Sequence, residues 1–544
     1  MTSTNSVSGL SSGFDWQSMI DQLIEIEKAP VTLVENHKTK YEEQLSAWQS
    51  FNSTLLSLKT AAQALSEPED FNVFASSMTS DNTDVDAEDL LAVSTTSYAS
   101  VGSYNITINS IATAQKISSS SFSSFSDALG TGYSGDIIIN GKTITISETD
   151  GLDDIRNRIN NANSGVTASI ISYSTDDSRL VLTSKSTGLE GISLDGSTTD
   201  LVQLLGWKDA EGVVNEIIAG QDASLTIDGV GITSKDNIID DVLSGVTLKL
   251  TNDNASTTIT VNIERDLSAI EEKIQSFVDA YNAVSSYISE QQTYNKEEET
   301  TGGILFGDGT LSSVKSDLSS LLVEPIWGVS SEFSILGMAG INLDDDGQLS
   351  IDSDKLNGLL ETNFDDIQQL FCANGTSDSG SIEYIYSTND TKAGEYAVNI
   401  TQAATEIGLD VAGTINGEAA TGSGQNLTGN KDEANIAGLV IRYTGSTTGA
   451  VGNIKLTVGV AELFDRALFN ITDSYEGYVA FKQDSLSERI SDLEDRIDQM
   501  NARLDLKKEA MLARFSAMEL ALSRLQSMSS WLSGQLEAAS NGWK

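Results

Sequence analysis

Apolar residues recur in steps of three and four at both ends of this chain and in steps of two through its middle. Near the start, Tyr41, Leu45, Trp48, Phe51, Leu55, Leu58, Ala62 and Leu65 lie on one stripe of a helix. Pro68 marks its stop, and a separate apolar stretch from Phe14 to Ile26 ends before Pro30. Near the other end, Leu486, Ile490, Leu493, Ile497, Met500 and Leu504 alternate steps of four and three among charged neighbours, which is a heptad seam. After one phase slip the seam resumes at Met511, Phe515, Met518, Leu522, Leu525 and Leu532. No proline follows Pro325, so the spacing predicts nearly continuous helix from about 475 to 535. A sustained heptad needs a partner helix. The pattern therefore predicts that the N-terminal helix runs out, the middle folds as heads, and the C-terminal helix returns beside it.

The middle is rich in Ser, Thr, Asn, Gly and Asp, with short alternating runs. Those beginning at Tyr104, Asp136, Lys142, Arg179, Ser224, Val246 and Thr258 read as half-buried strands. Asn140-Gly141 and Asp228-Gly229 are tight-turn signals between strands. Helices are expected from Leu152 to Asn160, from Asp266 to about Gln292, from Leu311 to Leu322 and from Asp354 to Phe371. One internal repeat stands out: Gly102-Ser-Tyr104-Asn-Ile106-Thr-Ile108 with Ala112-Thr113 matches Gly394-Glu-Tyr396-Ala-Val398-Asn-Ile400 with Ala404-Thr405, at a constant offset of 292 residues. Residues 386–462 accordingly read as a second, inserted β module. The fold class is α+β and multidomain, a helical coiled-coil stalk from both termini carrying several β-rich heads.

Charge sharpens the division. Of the net −47, residues 1–65 and 465–544 carry −3 each, and 66–464 carry −41. Such a polyanion lacks the cation density that displaces counterions from nucleic acid, and it suits an anionic membrane surface no better. No apolar run of eighteen residues occurs, and the first residues are neither basic nor apolar, so neither membrane insertion nor a secretory leader is expected. The length, 544 residues, corresponds to about three to five domains.

Candidate chemistry is sparse. The single histidine, His37, would have to serve any Ser–His–Asp or Cys–His set, and its place beside the helical stripe reads as an exposed helix position. Cys372, the single cysteine, reads as a small apolar packer at a helix end. No phosphate loop or complete dinucleotide fingerprint is present. Asn342-Leu-Asp344-Asp-Asp346-Gly347 resembles half of an EF-hand loop, but its twelfth position is Ser353 and its flanks alternate like strands, so a β-hairpin is expected. No enzyme, metal or cofactor is expected.

Several segments together resemble the bacterial flagellar filament cap family, hook-associated protein two or FliD. They are Gly9-Leu-Ser-Ser-Gly-Phe-Asp15 with Met19 to Glu27 and Pro30; Ala223 to Gly229 with Asn237, Gly245 to Leu250 and Phe277 to Asn282; Gly337 to Gly347 with Leu349 and Leu370-Phe371; and Ser487 to Leu504 with Arg514 to Glu519 and Trp531-Leu532. The resemblance implies a ring of copies of the chain, five in number, at the flagellar tip, exported by the flagellar type III path. It would retain flagellin and promote its polymerisation. The implied partners are flagellin, hook–filament junction proteins and an export chaperone at the C-terminal helix.

On this reading Tyr41, Leu45, Trp48, Leu55, Leu486, Ile490, Leu493, Ile497, Met500 and Leu504 form the assembly seam, and Phe14, Leu23, Phe515, Met518, Leu522 and Trp531 dock on the filament. The expected division is 1–40 with 505–544 as terminal helices ordered on assembly; 41–70, 265–385 and 463–504 as stalk; 71–110 with 220–264 and 111–219 as two β heads; and 386–462 as the insert, outside the basic family plan. An extracellular adhesin using the β heads is the alternative reading, and a secreted calcium-dependent enzyme is a further rival.

Overall fold

The computed structural model describes residues 13–174, 176–194, 199–295, 300–404 and 408–541. The first part of the opening signature, Gly9 to Ser12, and Thr405 of the repeat lie outside the described residues. The chain divides into two compact units, Met1–Pro68 with Glu271–Lys544, and Glu69–Ile270.

Helix α1 (Trp16–Glu27) opens the first unit, with the Asp15 carboxylate accepting from the Ser18 amide at its N-cap. Helix α2 (Ala29–Gln63) follows after a break at Lys28, with Pro30 in its first turn, where the missing N–H costs no intrahelical bond. The helix thus begins well before Tyr41, and the boundary expected at 40/41 falls inside it.

The second unit begins within a short helix, α3 (Pro68–Phe71). Its first sheet runs β1–β14–β3–β10–β11 and a companion runs β12–β13–β2. The strands are β1 (Phe74–Ser80), β2 (Leu91–Thr95), β3 (Gly102–Ser110), β10 (Ala223–Ile227), β11 (Val230–Ser234), β12 (Ile238–Leu243), β13 (Val246–Leu250) and β14 (Ile259–Arg265), with α4 (Ala87–Leu90) before β2. Ile106, Ile108, Leu225, Leu248, Val261 and Ile263 alternate inward to make one core. Between β3 and β10 lie β4 (Lys116–Ser118), β5 (Gly135–Ile139), β6 (Lys142–Ile146), α5 (Leu152–Asn161), β7 (Val166–Ser174), β8 (Asp177–Ser184), α6 (Thr199–Leu204) and β9 (Glu216–Ile218). They enclose a separate core around Ile137, Ile155, Leu180, Leu182 and Trp207. Both residues of Asn140-Gly141 and of Asp228-Gly229 have positive φ, as two-residue hairpin turns require.

The chain then returns to the first unit through α7 (Leu267–Gln292), a hairpin of β15 (Tyr294–Asn295) and β16 (Thr300–Thr301), and α8 (Gly309–Val323). The Asp-rich segment is the expected hairpin, β17 (Ile341–Leu343) with β18 (Leu349–Ile351), and the Asp344 carboxylate accepts from the amides of Asp346 and Gln348. The single helix expected over 354–371 is two, α9 (Ser353–Thr362) and α10 (Phe364–Phe371), because Asn363 leaves helical geometry at φ −134° and ψ 37°.

Next comes an eight-stranded sheet. Its strands are β19 (Ala373–Ser377), β20 (Ile382–Tyr386), β21 (Gly394–Gln402), β22 (Ala412–Ile415), β23 (Glu418–Ser423), β24 (Asn426–Gly429), β25 (Val440–Tyr443) and β26 (Gly449–Val458), ordered β19–β26–β21–β22–β23–β24–β25–β20. The module expected at 386–462 therefore starts earlier. Its first strand pairs with its last, Ala373 opposite Val458, and residues 460–462 already belong to the next helix. That helix is α11 (Val460–Thr472), and α12 (Tyr478–Asn541) closes the chain, running unbroken through the boundary expected at 504/505.

Candidate assembly surface

Helices α2 and α12 lie side by side and antiparallel. The Gln483 side chain donates to Trp48 O at 3.3 Å, Lys38 pairs with Glu494 at 2.8 Å, and Lys507 pairs with Glu27 at the start of the chain. The C-terminal helix thus returns along the N-terminal one.

At the inner end the seam belongs to a dense core. Trp48, Phe51, Leu55, Leu58, Leu486 and Val479 are buried, and Phe51 stacks on Tyr287 at 5.2 Å between centroids. Tyr287 in turn donates its hydroxyl to Ala47 O at 2.5 Å, and burial pushes its pKa up. Phe464 of α11 meets Phe277 and Tyr281 of α7 edge-on. Each such side chain removed from water contributes roughly 1.5–3 kcal/mol.

Outward from Leu486 the burial falls. Tyr41, Leu45, Ile490, Leu493, Ile497, Met500 and Leu504 are all only half-buried. Two helices cover only part of each other's apolar stripe, and a heptad seam left in this state has room for a further helix. Arg489 lies over the Tyr41 ring at 5.7 Å, shielding one flank.

Farther out, α1 replaces α2 as the partner of α12. Trp16, Ile20 and Ile24 are buried against Met511, Leu512 and Phe515, and the Trp16 and Phe515 rings stack with an interplanar angle of 2°. Lys508 pairs with Asp21 at 2.8 Å. The phase slip in the seam coincides with the α1–α2 break at Lys28: Lys507 stands there, its charge held by Glu27. That ion pair and the Trp16 contact were not legible from spacing, because they depend on which residues of a distant helix face the slip.

The residues assigned to filament docking divide. Phe515 is half-buried under Trp16, so in the free chain it serves the pairing of α1 with α12. Leu522 is half-buried too. Phe14 is 68% exposed, Leu23 46%, Met518 43% and Trp531 64%. From 523 to 539 every residue of α12 is exposed, including Leu525, Met528, Leu532 and Leu536. Exposed apolar residues gathered on one helix have the character of a surface that could receive another protein.

The sites of conventional chemistry are quiet. His37 sits exposed on α2, and Cys372 is buried with its thiol donating to Leu65 O at 3.2 Å. Among the described residues no group of His, Cys, Asp and Glu could hold a metal ion, and no helix is long and apolar enough to cross a membrane.

Comparison with known proteins agrees with this architecture. The model for the C-terminus of flagellar hook-associated protein 2 matches residues 220–527, and the model for its N-terminus matches 12–115. The chain belongs to the flagellar hook-associated protein 2 family. The Escherichia coli K12 member is 33% identical over 385 residues, covering 68% of this chain and 80% of that protein. The A-type member from Pseudomonas aeruginosa is 27% identical, covering 70% and 82%. The crystal structure of the D1-D2-D3 domains of the Escherichia coli flagellar cap protein FliD superposes with a TM-score of 0.51 at 30% identity, over 60% of this chain and 89% of that one. A flagellin hook IN motif matches 131–186. As a member of this family, the chain is a structural component of the flagellum, its filament cap, and its place is outside the cell at the tip.

Proposed function

We propose that copies of this chain join through the half-buried part of the α2–α12 seam into a ring, for which the resemblance implies five subunits. The exposed apolar face of α12 beyond Met518 then docks the ring on the filament end, where it retains flagellin and promotes its insertion. The observation that carries this reading is that face: Met518, Leu525, Met528, Trp531, Leu532 and Leu536 are exposed toward the outer end of α12. Most helical stability in proteins comes from packing of an apolar face, so the segment gains order when it is covered. Before docking, the same face suits an export chaperone, and on a young filament it suits the hook–filament junction proteins. No nucleic acid or membrane enters the scheme. The seam residues, the docking residues and the division into stalk, heads and insert are parts of this proposal.

The test is a chain carrying Leu525→Ser, Trp531→Ser and Leu532→Ser in a strain without its own cap. Flagellin should appear as monomer in the medium and filaments should be lost, while the circular dichroism of the β modules is kept. Filaments of normal length would refute the docking face.

A further inference from the structure

Two β modules of the chain share one pattern of strand pairing. The first module consists of β1–β3 and β10–β14, the second of β19–β26. Six pairings recur: β1–β14 as β19–β26, β14–β3 as β26–β21, β3–β10 as β21–β22, β10–β11 as β22–β23, β12–β13 as β24–β25, and β13–β2 as β25–β20. Register recurs with them. Tyr104 faces Val261 as Tyr396 faces Ile454, Gly102 faces Ile263 as Gly394 faces Leu456, and Ile227 faces Ile106 as Ile415 faces Val398.

Smaller details repeat as well. Each tyrosine folds back over the glycine two residues earlier, where an added Cβ would lie 3.0 Å from its hydroxyl oxygen in both copies. The hairpin turns are Asp228-Gly229 and Asn416-Gly417, all at positive φ. The Asp228 amide donates to Asn105 O at 2.9 Å and the Asn416 amide to Ala397 O at 2.7 Å. One bond closes the neck of each module: Asp266 N to Val73 O, and Gly459 N to Cys372 O, both 2.9 Å. A shared sheet class alone does not require register, turn and neck to agree.

The copies differ at one corner. Between β3 and β10 the first carries the whole β4–β9 domain, where the second has only residues 403–411. In the second, β23 and β24 pair, and the Asp410 carboxylate accepts from the Gly424 amide of that hairpin at 2.7 Å. In the first, Asp222 stands at the equivalent place, five residues before Ile227 as Asp410 is before Ile415. Its carboxylate accepts from the Leu189 amide of the β4–β9 domain at 2.7 Å. Thr187 of that domain donates to Lys235 O at 2.7 Å, at the bend between β11 and β12. The Asn237 side chain holds both backbone groups of Ala112, at the entry to the same domain. The flagellin hook IN motif match, 131–186, lies wholly inside it.

We propose that residues 373–458 are a second copy of the head module, that the β4–β9 domain is a guest carried by the first copy alone, and that Asp222 anchors this guest at the corner which Asp410 closes in the second copy. Hydrogen–deuterium exchange on the full chain tests it. Asp222→Ala should speed exchange at 186–190 by about tenfold or more, the factor for one lost hydrogen bond to a charged group, with β3 and β14 unchanged. Asp410→Ala should do the same at 423–426 and leave 186–190 unchanged. A third chain, with 111–221 replaced by 403–409, should keep β1, β3, β10 and β14 protected as in the natural protein. Unchanged exchange at 186–190 in the Asp222 variant would overturn the anchor. Loss of protection in β3 and β14, in that variant or in the replacement chain, would overturn the independence of module and guest.

Discussion

Arg466 of α11 is more than nine-tenths buried, and each nitrogen of its guanidinium donates a hydrogen bond within the molecule. Nε donates to Glu462 Oε1 at 2.6 Å, Nη1 to Thr391 O at 2.5 Å and Nη2 to Ser387 Oγ at 3.2 Å. The last two acceptors lie in the eight-stranded module, so this one side chain ties the module to the helix that follows it. Burial pushes the Glu462 carboxyl up, against the pull of Arg466, and pushes the neighbouring Tyr384 up to about 12. A carboxyl raised in the folded state adds stability below its unfolded pKa and loses that contribution as pH rises through the folded value. Removing one partner leaves a bare charge, so Arg466→Met should cost about 3–5 kcal/mol in urea unfolding, whereas Glu462→Met with Arg466→Met together should recover most of it. Nothing in the sequence near Glu462 announces this pair, since a helix with Glu and Arg four apart usually exposes both. Cys372 was legible, because a lone cysteine beside Leu370-Phe371 has little to do but pack.

Elements with local signals were readable and elements with distant causes were not. Alternation plus Asn140-Gly141 or Asp228-Gly229 places β5, β6, β10 and β11, since register in a hairpin is set by its turn. Strand β19, Ala373-Asn-Gly-Thr-Ser, has no apolar alternation and exists because Gly449–Val458 pairs with it. The break at Asn363 was hidden for a related reason: the apolar spacing continues across it while the backbone does not. The corrected limits change the deletion worth making. Excising 386–462 would strand β19 and β20 and remove Glu462. Excising 374–457 joins Ala373 to Val458, already neighbours in the sheet. That shorter chain should still cap, with filament length unchanged in complemented cells. Flagellin spilled into the medium would show that the module is required.

In the proposed ring, charge opposes assembly and apolar helix faces favour it. Every copy adds −47, most of it between 66 and 464, where only 18 of the 32 basic residues lie. Like charges repel over a distance of about 30 Å at 0.01 M salt but about 8 Å at physiological salt. Burial of Leu493, Ile497 and Met500 against a neighbouring helix is mainly hydrophobic and changes little over that range. The ion pairs along the seam, Lys38 with Glu494 and Lys508 with Asp21, lie within one chain. Sedimentation velocity of the full chain over this salt series is the most direct test that apolar helix faces hold the cap together. The account predicts that assemblies grow and persist as salt rises to the physiological level; assemblies that fall apart as salt is added would mean that ion pairs between subunits, and not the helical seam, join the copies.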